Sequence, residues 1–150
     1  MQDIKEKLYR LCLDFITQRI QTAETALEQA REASNDDTKS SAGDKFETTR
    51  EMMQQDISRN KRLLMDAQQN LQLLNSIKDM PLNDKVRNGN LVYTSEGVFY
   101  LSISAGQLKS DGDSIFAISA ASPIGNLLIG KEIGSSFDFN GKKYLIKEII

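Results

Sequence analysis

The chain has 150 residues, of which 39% are hydrophobic and 27% charged, and this balance indicates a folded protein and excludes a disordered one. Its 19 basic and 21 acidic residues give a net charge of −2, which provides no electrostatic basis for gripping a nucleic-acid backbone directly. The absence of histidine excludes the usual general base, the serine–histidine and cysteine–histidine nucleophile pairs and the common zinc sites. These residues therefore favour an accessory protein over a self-sufficient enzyme.

The single cysteine, Cys12, lies between Leu11 and Leu13 and is predicted to be a buried, small apolar side chain. A lone thiol of this kind suits a reducing cytoplasm. The first residues are charged, and no apolar stretch approaches the roughly 18 residues that a membrane span needs. We therefore expect a soluble cytoplasmic protein that makes no contact with a membrane.

Glycine and proline divide the chain into two parts. Residues 1–80 contain only Gly43 and no proline, whereas residues 81–150 contain Pro81, Pro123 and eight glycines. Because glycine and proline interrupt regular elements, the pattern predicts a helical domain over residues 1–80 and a strand-rich domain over residues 81–150.

Apolar residues of the first part recur at alternating steps of three and four, which is the spacing of a coiled-coil seam. The stripe consists of Ile4, Leu8, Leu11, Phe15, Ile16, Ile20, Ala23, Leu27 and Ala30, and then Met53, Ile57, Leu64, Ala67, Leu71 and Leu74, with the polar Asn60 among them. A polar connector separates the two segments, so the helices must fold back on each other to bury their stripes. This predicts a long antiparallel coiled-coil hairpin that projects to a tip at about residues 34–47.

Short β-type runs separated by turns follow in the second part. The strand candidates are residues 91–93, 98–101, 115–118, 137–139 and 144–146. The pair Asn140-Gly141 between two such runs is a strong hairpin signal. Ser122-Pro123 followed by an apolar run and Gly130 predicts one short helix. The predicted fold class is α+β, with the hairpin preceding an antiparallel β domain that carries one short helix.

Residues 118–134, which read ISAASPIGNLLIGKEIG, are similar to the C-terminal signature of the Gre family of transcript-cleavage factors. The closing run YLIKEI at residues 144–149 resembles the last strand of that family. The resemblance covers nearly the whole chain, because Gre factors also carry an N-terminal antiparallel coiled coil of similar length.

The resemblance implies an FKBP-like C-terminal domain and RNA polymerase as the partner. In that family the C-terminal domain docks at the rim of the polymerase secondary channel and the hairpin enters the channel. Acidic residues at the tip then help to hold a second Mg²⁺ for hydrolysis of backtracked RNA, which the polymerase active site carries out. By this resemblance the chain has no catalytic residues of its own and contacts RNA only indirectly. A hairpin that buries its own apolar stripes should leave the protein monomeric.

The tip carries acids in an arrangement of its own. If Phe46 stands where the family has a tyrosine, the two acidic positions of the family fall on Lys39 and Ala42. The candidate ligands for a shared Mg²⁺ are instead Asp36, Asp37 and Asp44. Asp44 and Glu47 also have the spacing of a helix capping box, so either role is open for Asp44.

Residues Ser122, Pro123, Ile124 and Gly125 are the candidate contacts for docking on polymerase, or they simply start the short helix. Two other functions are weighed against the polymerase factor. The second part could be an FKBP-like peptidyl-prolyl isomerase, which needs an aromatic-lined apolar pocket. The hairpin could instead serve a structural protein that uses it to bind a partner or a second copy.

Overall fold

The computed structural model describes the backbone of residues 2–37, 43–110 and 112–150, and the side chains of residues 4–33, 50–110 and 112–150. The chain forms two compact units, one of Met1–Phe15 with Gln72–Ile150 and one of Ile16–Leu71. The predicted division at residue 80 separates helical from strand residues, whereas the first compact unit takes residues from both sides of it. In the part of the chain that is described, no helix is long and apolar enough to cross a membrane.

Two long helices, α1 (Gln2–Asp37) and α2 (Gly43–Ser76), run through the first half of the chain. Within the unit Ile16–Leu71, residues 16–23 of α1 and residues 60–70 of α2 line one pocket of about 440 Å³, so the helices lie side by side. Because only residues 38–42 connect them, neighbouring helices must run in opposite directions.

The predicted apolar stripe is confirmed in the described side chains of both helices. Every residue of the stripe is buried or half-buried, and Leu8, Ile16 and Leu74 are at most 1% exposed. Asn60 is half-buried, and its amide donates to the carbonyl of Asp56 in its own helix at 2.9 Å. The three–four spacing therefore identified the buried faces of α1 and α2 correctly.

In the described part of the chain, six strands form a single sheet in the order β3-β4-β2-β1-β6-β5. Their bounds are β1 Leu91–Thr94, β2 Gly97–Leu101, β3 Gly106–Ser110, β4 Asp113–Ile118, β5 Ser136–Phe139 and β6 Lys142–Ile149. All five predicted strands are present, together with the short helix α3 (Pro123–Leu128) between β4 and β5. The predicted α+β class is confirmed.

Two features of the sheet differ from the prediction. The edge strand β3 was not predicted, because Leu108 is its only large apolar residue and the alternation that marks a strand is too short. The sheet is also not fully antiparallel, since β2 and β4 pair in parallel with Phe99 opposite Phe116. The parallel pair arises because β4 lies between β2 and β3, so the connection from β2 to β3 crosses over it.

The turn at Asn140-Gly141 is as predicted. Asn140 has a φ of 51° and Gly141 a φ of 78°, the pair of positive values that a type I′ turn requires. Phe139 pairs with Lys142 across this turn, which sets the register of β5 on β6.

One face of the sheet forms a core with α3. Leu101, Val92 and Ile146 of the strands are at most 1% exposed in the same cluster as Leu128 of α3. Val86, from the segment before the sheet, closes the cluster. This core explains why a helix of only 6 residues is stable, since its apolar side chains are buried by the sheet.

Cys12 is buried in the first unit, as predicted, and its Sγ lies 3.6 Å from Ser102 Oγ. Burial raises the pKa of the thiol, and the contact with Ser102 offsets part of that rise. The protonated thiol is therefore the form that the fold favours, and it is the unreactive form.

We expect Cys12 to react with an aromatic disulfide reagent at least about a hundredfold more slowly in the native protein than in urea, because the thiol must first be exposed by an opening that costs several kcal/mol. Absorbance of the released thiolate at pH 8 measures both rates, and the signal is unambiguous because the sequence has no other cysteine. Equal rates in the two states would contradict the burial of Cys12.

Candidate functional site

The three candidate metal ligands lie at the C-terminal end of α1 and the N-terminal end of α2. Asp36 and Asp37 are the last two residues of α1, and Asp44 is the second residue of α2. Their side chains lie outside the described residues. Negative charge at the end of a helix opposes the helix dipole, whereas negative charge in a first turn is favourable. The charge of Asp44 in the first turn of α2 therefore stabilises that helix, whereas the charges of Asp36 and Asp37 at the end of α1 do not stabilise theirs.

The helix bounds bear on the capping-box interpretation of Asp44, which stays a prediction because the side chains of Asp44 and Glu47 lie outside the described residues. Because α2 begins at Gly43, Asp44 already belongs to its first turn. The helices also extend further into the predicted tip than expected, since only residues 38–42 separate Asp37 from Gly43.

Among the described side chains, no group of three or more cysteine, aspartate or glutamate residues is arranged to hold a metal ion. That part of the chain does not include Asp36, Asp37 or Asp44. The donor set of these three residues consists of carboxylate oxygens, which is the set that Mg²⁺ prefers.

The candidate docking residues build the start of α3. Ser122 is the N-cap residue: its Oγ accepts from the amide of Gly125 at 3.1 Å and donates to the carbonyl of Ser119 at 2.7 Å. Pro123 occupies the first turn, where its missing amide hydrogen costs nothing. Ile124 packs against the sheet core, and Gly125 is buried. Three of the four residues thus have structural contacts, and only Pro123 is exposed.

Four aromatic side chains form a row on the same face of the sheet as α3, and we call Phe116, Phe99, Tyr144 and Phe137 the aromatic row. Their successive ring centroids are 6.2, 6.2 and 5.2 Å apart, and Phe137 and Tyr144 are stacked. Phe116, at 41%, is the only member that is more than a third exposed. Most of the row is therefore covered by its neighbours and packs with the sheet core.

A pocket of about 510 Å³ lies within the first unit, and the sequence did not predict it. Its wall includes Lys5 and Tyr9 of α1, Ile77 and Lys78 after α2, and Gly89 and Tyr100 of the strand-rich part. The only local signal is the pair Lys5 and Tyr9, which lie four residues apart and so share a helix face.

The edges of this pocket are fixed by polar contacts. Tyr9 donates its hydroxyl hydrogen to Asn75 Oδ1 at 3.2 Å, and Lys78 Nζ lies 5.8 Å from the centroid of the Tyr9 ring. Burial raises the pKa of the Tyr100 hydroxyl, so this group stays protonated and can donate a hydrogen bond. The pocket therefore combines hydroxyl and ammonium donors on a wall that the fold holds in place.

No protein-family model matches the chain, and no curated protein is similar enough to it to count as a match. Its family and its function are therefore proposals that rest on its residues and their geometry.

Proposed function

We propose that the chain is a Gre-like factor that binds RNA polymerase at its secondary channel and presents the connection between α1 and α2 to the active centre. The observation that carries the proposal is the segment at residues 118–134, with its resemblance to the Gre signature. In this proposal the strand-rich part is FKBP-like and docks on polymerase through the region of Ser122–Gly125, while the two helices form a coiled coil that enters the channel.

The local structure of this segment supports the proposal, because four residues of the signature have a physical reason to be there. Ser122 caps α3, Pro123 starts it, and Gly125 is placed where a larger residue would overlap the carbonyl of Ser119. Gly130 has a φ of +84°, a backbone conformation that favours glycine after a helix. A match at such positions is harder to obtain by chance than a match in an apolar run.

The helix pair also supports the proposal. The helices have 36 and 34 residues, and at about 1.5 Å per residue such helices extend roughly 50 Å. A connection at the end of such a pair can reach an active centre that lies deep within a channel.

Asp36, Asp37 and Asp44 would help to hold an Mg²⁺ that is shared with polymerase. When bound, the ion supplies an activated water for phosphodiester hydrolysis. The chain itself contributes carboxylate oxygens and their positions at the helix ends, and the reaction remains that of the polymerase. This division of labour suits a chain that has no histidine.

The test uses purified protein with backtracked elongation complexes and compares the wild type with Asp36→Ala/Asp37→Ala. We expect both proteins to bind polymerase, and we expect the double variant to lose at least about tenfold of the effect on cleavage or elongation, because one strong charged contact contributes about 1.5–3 kcal/mol. Transcript lengths on gels measure the effect, and competition with an authentic cleavage factor measures binding.

The matched control is Glu28→Ala/Glu32→Ala, which removes the same charge from exposed positions of α1 away from its end. This variant should behave as the wild type does. The proposal is wrong if the wild-type protein neither binds polymerase nor competes with a cleavage factor.

The two alternatives are a partner-binding protein and a prolyl isomerase. One observation favours the first: Met52 and Leu63 of α2, eleven residues apart and so on one helix face, are 62% and 51% exposed. A dimer or a stable partner complex in sedimentation, without polymerase binding, would favour the first alternative. Turnover in a prolyl isomerisation assay would favour the second.

A further inference from the structure

The wall of the pocket in the first unit carries two lysines, and a third basic residue lies near one of them. Lys5 and Lys78 contribute ammonium groups, and Arg87 is close enough to Lys5 for the two charges to repel each other. Within the described residues, neither lysine has a carboxylate partner at ion-pair distance. The guanidinium of Arg87 donates a hydrogen bond to the carbonyl of Pro81.

Two carboxylates also line the pocket, but only one is uncompensated. Glu6 Oε1 lies 3.0 Å from Arg10 Nη2 and forms an ion pair with it, so the charge of Glu6 has a partner on its own helix face. Asp79 is exposed, and the described residues provide no ion-pair partner for it. On the wall itself, two lysines therefore stand against one carboxylate without an ion pair, and Arg87 adds a further positive charge near Lys5.

From this arrangement we propose that the pocket binds the phosphate group of a small phosphorylated molecule, with Lys5 and Lys78 as the charged donors. This proposal does not rest on the polymerase proposal, since it concerns a different part of the chain.

The charge of Lys5 is the main physical reason. Placing an ammonium group in a partly buried position without a counter-charge is unfavourable, and a bound anion would remove that penalty. Desolvation and the nearby Arg87 both lower the pKa of Lys5, which is consistent with a cation that lacks an anionic partner. A phosphate offers several acceptor oxygens, so it can accept from more than one donor of the pocket wall.

The size of the pocket favours a small molecule over a nucleic-acid chain. A volume of about 510 Å³ is within the range of about 300–1,000 Å³ of small-molecule sites. The net charge of −2 opposes the long-range attraction that binding of an extended phosphate backbone relies on. A local group of cations on a slightly acidic protein suits a compact anion better.

The test is calorimetric titration of the full chain with inorganic pyrophosphate in a buffer that contains no divalent cations. We expect saturable binding with a Kd below about 1 mM, and we expect Lys5→Met to weaken it at least about tenfold, which is the loss of one charged hydrogen bond. Lys78→Met should weaken it as well. Asp79→Asn should tighten it by about threefold, because the variant removes a repelling charge.

Two further variants keep the result interpretable. Lys5→Arg retains the charge and should retain most of the binding. Lys61→Met removes an exposed lysine of α2 outside the pocket and should leave binding unchanged. Circular dichroism checks that each variant is folded.

The proposal is overturned if the wild type does not bind pyrophosphate at millimolar concentration, or if folded Lys5→Met and Lys78→Met bind as tightly as it does. It is also overturned if single-stranded RNA binds through these lysines while pyrophosphate does not. If any of these results is found while the protein still binds polymerase, the pocket proposal fails and the proposed function stands. If the protein binds pyrophosphate but not polymerase, the proposed function fails and the pocket proposal stands.

Discussion

Replacing Gly125 by alanine is expected to destabilise the protein by about 2–3 kcal/mol, the usual cost of forcing extra volume into a packed site. The usual effect of this change inside a helix has the opposite sign, since alanine is more favourable than glycine there by about 1 kcal/mol. Here the new methyl group would overlap the carbonyl oxygen of Ser119 and lie 2.8 Å from Ser122 Oγ. Because that carbonyl accepts from both the amide and the hydroxyl of Ser122, displacing it also disrupts the N-cap of α3.

Chemical denaturation followed by circular dichroism measures this loss. The control is Asn126→Ala, the next residue of α3, whose side chain is exposed and which should change the free energy of unfolding by no more than about 0.5 kcal/mol. A Gly125→Ala protein as stable as the wild type would show that the close approach of α3 to Ser119 is absent in solution.

Replacing Leu101 by alanine should destabilise the protein by about 3 kcal/mol, within the range of about 2–5 kcal/mol measured for leucine in packed cores. Leu101 is 0% exposed and lies in the cluster that joins the sheet to α3, so the deletion leaves a cavity that rigid strands cannot close. The midpoint of urea unfolding should fall, with little change in its slope.

The matched comparison is Leu82→Ala. This variant makes the same chemical change but leaves no cavity, because Leu82 is 70% exposed. Its effect should stay within about 0.5 kcal/mol. If the two variants lost equal stability, the assignment of Leu101 to the core would be wrong.

Local sequence patterns predicted the elements that depend on local physics. The three–four spacing located the faces of α1 and α2, Ser122-Pro123 located the start of α3, and Asn140-Gly141 located the last hairpin. The strand β3 and the parallel pairing of β2 with β4 depend on the rest of the sheet. A strand with one apolar residue, Leu108, forms because β4 offers it an edge, which no local pattern reveals.

The candidate sites divide in the same way. The sequence predicted that Ser122–Gly125 starts a short helix. The structure shows that hydrogen bonds of Ser122 to Ser119 and Gly125 form the cap of that helix. The pocket of the first unit could not be predicted. Its wall comes from α1, the residues after α2 and the strand-rich part, and only folding brings these together. Asp36, Asp37 and Asp44 remain predictions from the sequence, since their side chains are outside the described residues.

The position of β6 in the sheet has a consequence for how the protein is made. β6 follows every other strand along the chain, yet it lies inside the sheet between β1 and β5, and its Ile149 pairs with Val92. On the ribosome, the helices can pair as soon as both have emerged, whereas β1 and β5 must wait for their common neighbour. Until then, both strands expose unpaired backbone groups, and the nascent sheet is open to association with other chains.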